Sequence, residues 1–105
     1  MEWEQRVGRR LKLRDLQTLA AVCRAGSMAK AAVELAMSQA AVSKALQEME
    51  RSLGFPVLER SSKGVCATEA GQVLLDRSLV VFDEIAEGLR EINALADPGK
   101  GQVRV

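Results

Sequence analysis

Only two residues, Ala36 and Met37, separate two stretches of helical periodicity near the middle of this 105-residue chain. Apolar residues recur on one side of a helix over 27–35 and again over 38–53. Gly26 precedes the first stretch, which begins at Ser27, and the second begins at Ser38; these residue types are typical of helix ends. Two helices joined by so short a link match the helix-turn-helix motif.

The helix predicted over 38–53 has two different sides. At about 100° per residue its apolar residues fall in one arc, which predicts a buried face. These are Val42, Ala45, Leu46, Met49 and Leu53. The opposite arc is small, polar and basic, with no acidic residue, as close approach to base edges in a major groove requires. Taken alone, this arc is more typical of a solvated helix surface, and the flanking motifs shift the interpretation towards DNA contact.

The remaining segments complete a mainly α fold. A first helix is predicted from about Leu13 to Ala25. Beyond 38–53, a strand over 57–60, a turn over 61–64 and a returning strand over 65–67 form a hairpin. Thr68 caps a last helix that continues to about Ala96. The prediction is a winged helix-turn-helix, with three helices and a two-stranded β wing, followed by a long helix.

The composition argues against catalytic chemistry. The chain has no histidine, and its two cysteines, Cys23 and Cys66, show no metal-ligand spacing. Aromatic residues make up 3%, too few for a surface that stacks single-stranded bases. We predict no enzymatic activity, no cofactor and no metal, and we interpret Cys23 as a core thiol. No membrane-spanning stretch or secretory signal is found, which favours the cytoplasm.

Charge is uneven along the chain. The formal net charge is +1, but residues 1–65 hold 11 Lys and Arg against 7 Asp and Glu, whereas residues 66–105 hold 4 against 7. Such asymmetry favours contact of the first part with a polyanion, although chance explains it equally well in so short a chain.

Several spaced motifs resemble the N-terminal domain of LysR-type transcriptional regulators. They are AGSMAKAA at 25–32, SQAAVSK at 38–44, LQEME at 46–50, LER at 58–60 and TEAG at 68–71. The resemblance covers about residues 13–96. It implies a winged helix-turn-helix, a long dimerising linker helix, and a separate effector-binding domain that this chain lacks.

Ten residues are predicted to contact double-stranded DNA. The resemblance places Ser38, Gln39, Ser43 and Lys44 on the recognition helix. The amide and hydroxyl groups of Gln39, Ser43 and Gln47 can form hydrogen bonds with base edges. Candidate phosphate contacts lie on the second helix and the wing. The full set is Ser27, Lys30, Ser38, Gln39, Ala40, Ser43, Lys44, Gln47, Arg60 and Lys63.

Two positions depart from the family pattern. Proline is common in the family where Ala40 stands, and arginine is frequent where Lys44 stands. Lysine lacks the bidentate fork with which arginine binds guanine, so we expect Lys44 to act more on phosphate.

The long helix carries an apolar seam at alternating steps of three and four, which favours a partner helix. The predicted dimerisation residues are Leu75, Leu79, Phe82, Ile85, Leu89 and Ile92. A homodimer would select an inverted-repeat site. The family also implies that a tetramer can form in a full-length chain, and that a small-molecule effector would bind only through the missing C-terminal domain.

The predicted organisation is an N-terminal tail (1–10), a DNA-binding domain (11–67, with the helix-turn-helix at about 28–47), a linker helix (68–96) and a hinge (97–105). A basic run extends from the N-terminal tail into the start of the first helix, at Arg6, Arg9, Arg10, Lys12 and Arg14. We interpret it as a solvated tail, with added phosphate contacts as the alternative.

The alternative for the whole chain is a helical protein-interaction module without sequence-specific DNA binding.

Overall fold

The computed structural model describes residues 11–96. Helices α1 (Leu13–Ala25), α2 (Met28–Leu35) and α3 (Gln39–Leu53) precede strands β1 (Leu58–Ser61) and β2 (Gly64–Ala67), and helix α4 (Glu69–Ala96) follows. This mainly α architecture confirms the predicted fold class. The predicted tail at 1–10, with Arg6, Arg9 and Arg10, and the predicted hinge at 97–105 lie outside the described residues.

The ends of the first three helices follow from local sequence. Gly26 and Gly54 end α1 and α3 in the left-handed conformation, at φ 73° and 87°. Ser27 and Ser38 cap α2 and α3 by accepting hydrogen bonds from the third backbone N–H along. The short link begins at Ala36, whose φ of 57° is unusual for a residue with a side chain. Its N–H donates to the last carbonyls of α2, which closes that helix.

The core lies where α1, α2 and α3 pack on one another. On α3 the predicted inner face is confirmed, because Val42, Leu46 and Met49 are buried. The buried apolar cluster consists of Leu19, Ala21, Val22, Met28, Ala31, Ala32, Val42, Leu46, Met49 and Val57. Cys23 packs against this cluster, half-buried, as the core interpretation predicts.

The β1–β2 hairpin, which we call the wing, is antiparallel and pairs Leu58 with Ala67 and Ser61 with Gly64. Its turn is shorter than the predicted 61–64, because Ser61 and Gly64 belong to the strands and only residues 62–63 connect them. Val57 was predicted to begin the first strand but precedes it. Its backbone N–H is bound by the Glu50 carboxylate instead of by the partner strand.

The described chain divides into two compact units, residues 11–75 and residues 76–96, so that α4 contributes its first two turns to the first unit. In the first unit, Gly71 lies against the carbonyl of Val57 so closely that a Cβ there would be 2.1 Å from the oxygen. No helix within residues 11–96 combines the length and apolar character needed to cross a membrane.

Candidate nucleic-acid interface

The outer face of α3 presents most of the predicted recognition residues to solvent. Gln39, Ala40, Lys44 and Gln47 are exposed and Ser43 is half-buried. Because α3 is amphipathic, burial of its apolar side against α1 and α2 leaves this polar side outward. The structure therefore brings the five predicted α3 residues together on one accessible surface, which we call the recognition face.

Ser27 and Ser38 both have structural roles. The Ser27 hydroxyl oxygen accepts from Lys30 N at 3.1 Å, and that of Ser38 accepts from Ala41 N at 3.0 Å. A serine hydroxyl can donate one hydrogen bond while it accepts another, so capping leaves each O–H available to a phosphate oxygen. The cap explains why serine stands at both positions, and phosphate contact by either remains a prediction.

Four of the predicted DNA-contacting residues are exposed cations. They are Lys30 on α2, Lys44 on α3, and Arg60 and Lys63 on the wing. The ion pairs Arg24–Glu34 and Arg90–Glu87 include none of these four, and none of the four has a carboxylate partner within residues 11–96. In particular, Arg60 has no carboxylate partner there, so a strand-end salt bridge does not account for it. The positive charge of all four is open to a polyanion.

Three contacts hold the wing in place beside α3. Both Val57 N and Leu58 N donate to Oε2 of Glu50, at 2.8 and 3.2 Å. Val65 N donates to the carbonyl of Gly26 at 3.1 Å, which ties β2 to the end of α1. A Cβ on Gly64 would lie 2.5 Å from that same carbonyl oxygen, so this approach needs glycine.

Thr68 fastens the other end of the hairpin. Its hydroxyl donates to the carbonyl of Pro56 at 2.9 Å and accepts from Gly71 N at 3.0 Å, which confirms the predicted cap of α4. Sequence reasoning overlooked Glu50, Gly64 and Gly71 as wing supports. The one available signal was Glu50 itself, an acid one helical turn after Gln47, at the edge of an arc that is otherwise free of acids.

A shallow depression joins the recognition face to the wing. It lies between α3 and β1, so that Ser43 and Gln47 share its wall with Arg60. Its lining consists of Met28, Ser43, Leu46, Gln47, Glu50, Leu58 and Arg60. Arg60 of the wing and two of the three predicted base-reading residues, Ser43 and Gln47, thus line one continuous surface.

The predicted dimerisation residues differ in exposure. Leu75 is half-buried and packs against the core of the first unit, and Phe82 is also half-buried. Leu79, Ile85, Leu89 and Ile92 are 43–59% exposed. At position 78 the helix buries a serine, since Ser78 is 2% exposed. Leu79 therefore lies about 100° around α4 from the buried position of its turn.

The thiols differ in environment. Cys23 and Cys66 are both free, the former half-buried and the latter exposed on β2. Burial, and secondarily the neighbouring Cys66 thiolate, raises the pKa of the Cys23 thiol.

Among residues 11–96 no three His, Cys, Asp or Glu side chains come together as a metal site would require. The recognition face is thus the best-formed candidate site.

Comparison with known proteins agrees with this geometry. Residues 13–72 match the family model described as bacterial regulatory helix-turn-helix protein, lysR family. The chain belongs to this family. Its relatives include the HTH-type transcriptional regulator CbbR of Xanthobacter flavus, 36% identical over 93 residues, which are 89% of this chain and 28% of CbbR. This lysR-family chain spans about 30% of the length of the curated relatives it matches.

Solved structures of lysR-family DNA-binding domains share the fold. The DNA complex of the CbnR DNA-binding domain aligns with a TM-score of 0.75 and 32% identity, over 82% of this chain and 99% of that one. The BenM DNA-binding domain with catB site 1 DNA aligns with a TM-score of 0.77 and 28% identity, over 82% and 92%. Both of those proteins are seen bound to DNA.

Proposed function

We propose that this chain is the sequence-specific double-stranded DNA-binding region of a transcriptional regulator. One observation carries the proposal. The small, polar and basic face of α3 is exposed and continuous with a wing arginine that has no acidic partner among residues 11–96. The relatives named as transcriptional regulators and the DNA-bound neighbours of the same fold support it.

In this proposal α3 enters the major groove by its N-terminal half. Gln39, Ser43 and Gln47 hydrogen-bond base edges, and the methyl group of Ala40 lets the helix approach closely. Lys30, Lys44, Arg60 and Lys63 neutralise phosphates, with the wing on the backbone or in the minor groove. The hydroxyls of Ser27 and Ser38 add hydrogen bonds to phosphate oxygens beside helix N-termini.

The proposal includes a homodimer formed through α4. Within residues 76–96 the large apolar side chains other than Phe82 are exposed, Leu89 by 57% and Leu95 by 81%, and a second copy of the helix would cover several of them. Such a dimer would bind an inverted repeat with one recognition helix per half-site. Because the relatives are about three times longer, effector binding and higher assembly are assigned to a domain outside this chain. A DNA-binding regulator of this kind would act in the cytoplasm, which is therefore the proposed location.

The competing function is a helical protein-interaction module. It would use the same exposed α4 residues but would give the cations of α2, α3 and the wing no role. An enzymatic role is disfavoured, since the relatives are named as regulators and the described recognition face includes no nucleophile–base pair.

Selection from a random duplex pool, followed by sequencing of the retained DNA, tests the proposal on the 105-residue chain. Enrichment of a two-fold-symmetric motif supports specific binding by a dimer. Enrichment of a single half-site supports DNA reading but contradicts a dimer of this chain. Absence of enrichment, with binding abolished at moderate salt, contradicts specific recognition and favours the interaction module.

A further inference from the structure

Helix α1 and strand β2 each carry one cysteine, and the two elements lie against each other. Val65 N donates to the carbonyl of Gly26 at 3.1 Å, and Gly64 approaches that carbonyl so closely that a Cβ would not fit. Cys66 follows Val65 directly, and Cys23 lies about one helical turn before Gly26. The contact between the wing and α1 therefore has a thiol on each side.

The two thiols lie in different settings but are neighbours. Cys23 packs against the buried apolar cluster, so its side chain is held in place, whereas Cys66 is exposed. Besides burial, the Cys66 thiolate raises the pKa of the Cys23 thiol. Such an effect requires the sulfur atoms to be close, since salt and solvent screen charges more than about 10 Å apart. The pair combines one accessible sulfur with one that the core holds beside it.

A disulfide between these cysteines requires a turn of the Cys66 side chain more than a movement of the backbone. Disulfide-bonded residues have Cβ atoms about 3.5–4.5 Å apart, so Cys66 must point towards α1. In the dithiol form its Sγ instead lies 3.9 Å from Oε2 of Glu59 on the neighbouring strand. A thiol–carboxylate contact of that length is weak, so little is lost when the side chain turns. The hydrogen bond from Val65 to Gly26 already holds the two backbones together.

We propose that Cys23 and Cys66 are the two halves of a reversible disulfide, which fastens the wing to α1 and forms by exchange with a low-molecular-weight disulfide of the glutathione class. The bond would enclose α2, α3 and β1 in one covalent loop. In a reducing compartment the free dithiol is the resting form, and the bond forms when the glutathione pool becomes more oxidised. The inference concerns the first unit alone and does not depend on the proposed function.

The exchange proceeds in two balanced steps. The exposed Cys66 thiolate attacks one sulfur of the glutathione disulfide, whose S–S bond breaks, and one glutathione thiolate leaves. The Cys23 thiolate then attacks the Cys66 sulfur, the mixed disulfide breaks, and the second glutathione thiolate leaves. The two cysteines lose two electrons and the glutathione disulfide gains them. The two protons given up by the cysteines are taken up by the two glutathione thiolates.

Equilibration of the 105-residue chain with mixtures of reduced and oxidised glutathione, at about pH 8, tests the proposal. Acid quenching and mass spectrometry separate the dithiol, the chain with glutathione on Cys66, and the chain that has lost two hydrogens. The same titration in denaturant provides a reference in which the fold does not hold the thiols together. The control variants are Cys23→Ala, Cys23→Ser and Cys66→Ser, and far-UV circular dichroism checks that each folds.

We expect the wild-type chain to form the internal bond, with Cys23 and Cys66 in one linked peptide after digestion. Its equilibrium constant should be at least about tenfold higher in the native chain than in denaturant, because a bond that suits the fold stabilises it. The oxidised chain should therefore melt about 10 °C above the reduced one, and dithiothreitol should reverse the shift. The two Cys23 variants should stop at the mixed disulfide on Cys66, which closes no loop and leaves the melting temperature unchanged.

Three results would overturn the proposal, and all can be read from the wild-type chain alone. Glutathione that stays on Cys66 would show that Cys23 does not reach it. Disulfide-linked dimers in place of the internal bond would show that Cys66 pairs only with a second chain. An equilibrium constant no higher in the native chain than in denaturant would show that the fold opposes the bond.

Discussion

The carboxylate of Glu50 on the recognition helix accepts a hydrogen bond from the backbone N–H of Val57 at 2.8 Å, just where the chain enters the wing. The same oxygen accepts from Leu58 N at 3.2 Å. Val57 is fully buried, so its N–H has little access to water as an alternative partner. The Glu50 side chain therefore fixes the start of the wing relative to the recognition helix.

Replacement of Glu50 should loosen the wing. We expect Glu50→Ala to lower the free energy of unfolding by about 2–3 kcal/mol, because two backbone donors are deprived of a charged acceptor. Urea unfolding measures the decrease, and faster hydrogen exchange at the Val57 amide would locate it. Glu48→Ala on the exposed side of α3 is the matched control and should change stability by less than about 0.5 kcal/mol. Equal effects of the two substitutions would contradict the role of Glu50.

The two helical glycines of α4 should respond in opposite directions to the same substitution. An added Cβ on Gly71 would lie 2.1 Å from the Val57 carbonyl oxygen, whereas one on Gly88 meets nothing within 4 Å. We expect Gly71→Ala to destabilise the chain by at least about 2 kcal/mol, since the backbone must shift. Gly88→Ala should stabilise it by about 0.5–1 kcal/mol, as alanine does in a helix interior. Thermal unfolding of both variants provides the test.

The link between α2 and α3 contains a residue whose replacement should raise stability. Ala36 has φ 57° and ψ 43°, a left-handed conformation that costs a residue with a Cβ about 1–2 kcal/mol. We expect Ala36→Gly to raise the melting temperature by about 4–8 °C, which corresponds to about 1 kcal/mol in a domain of this size. The same change at Ala29, an exposed position within α2, should instead cost about 1 kcal/mol. A lower melting temperature for Ala36→Gly than for the wild type would contradict the strain inferred at Ala36.

Fold and site could be predicted from the sequence to different degrees. The helices were predictable because their faces and caps are local, as Ser38 and the buried Val42 illustrate. The wing supports were not, because Glu50 and Val57, or Gly64 and Gly26, meet only in the folded chain. The recognition face was predictable as a helical arc, whereas its continuity with Arg60 depends on how the hairpin packs. Helical periodicity also placed Leu79 on the seam, although the buried residue of that turn is Ser78.

The two thiols should react at different rates with iodoacetamide. Cys66 is exposed, whereas Cys23 is half-buried and has a raised pKa because of that burial. The thiolate is the nucleophile, so the raised pKa leaves a smaller fraction of Cys23 in the reactive thiolate form at a pH near 8. We expect mass spectrometry to find Cys66 alkylated first, and Cys66→Ser to remove the fast phase. In denaturant both thiols should react alike, and a fast phase that survives Cys66→Ser would contradict the assignment.

The residues proposed to read bases and those proposed to bind phosphate should fail in different ways when replaced. Gln39→Ala or Ser43→Ala removes a hydrogen bond to a base edge, so we expect the preferred duplex to lose about 1–3 kcal/mol relative to random DNA. Lys63→Ala removes a charge at the tip of the wing, and it should weaken binding to both duplexes about equally, with a salt slope shallower by about 0.9. Competition binding with the selected and random duplexes separates the two behaviours, because a phosphate contact cannot change the ratio of the two affinities. If every variant lost the same affinity for both duplexes, α3 would contribute charge alone, and the sequence preference would have to come from the shape of the DNA.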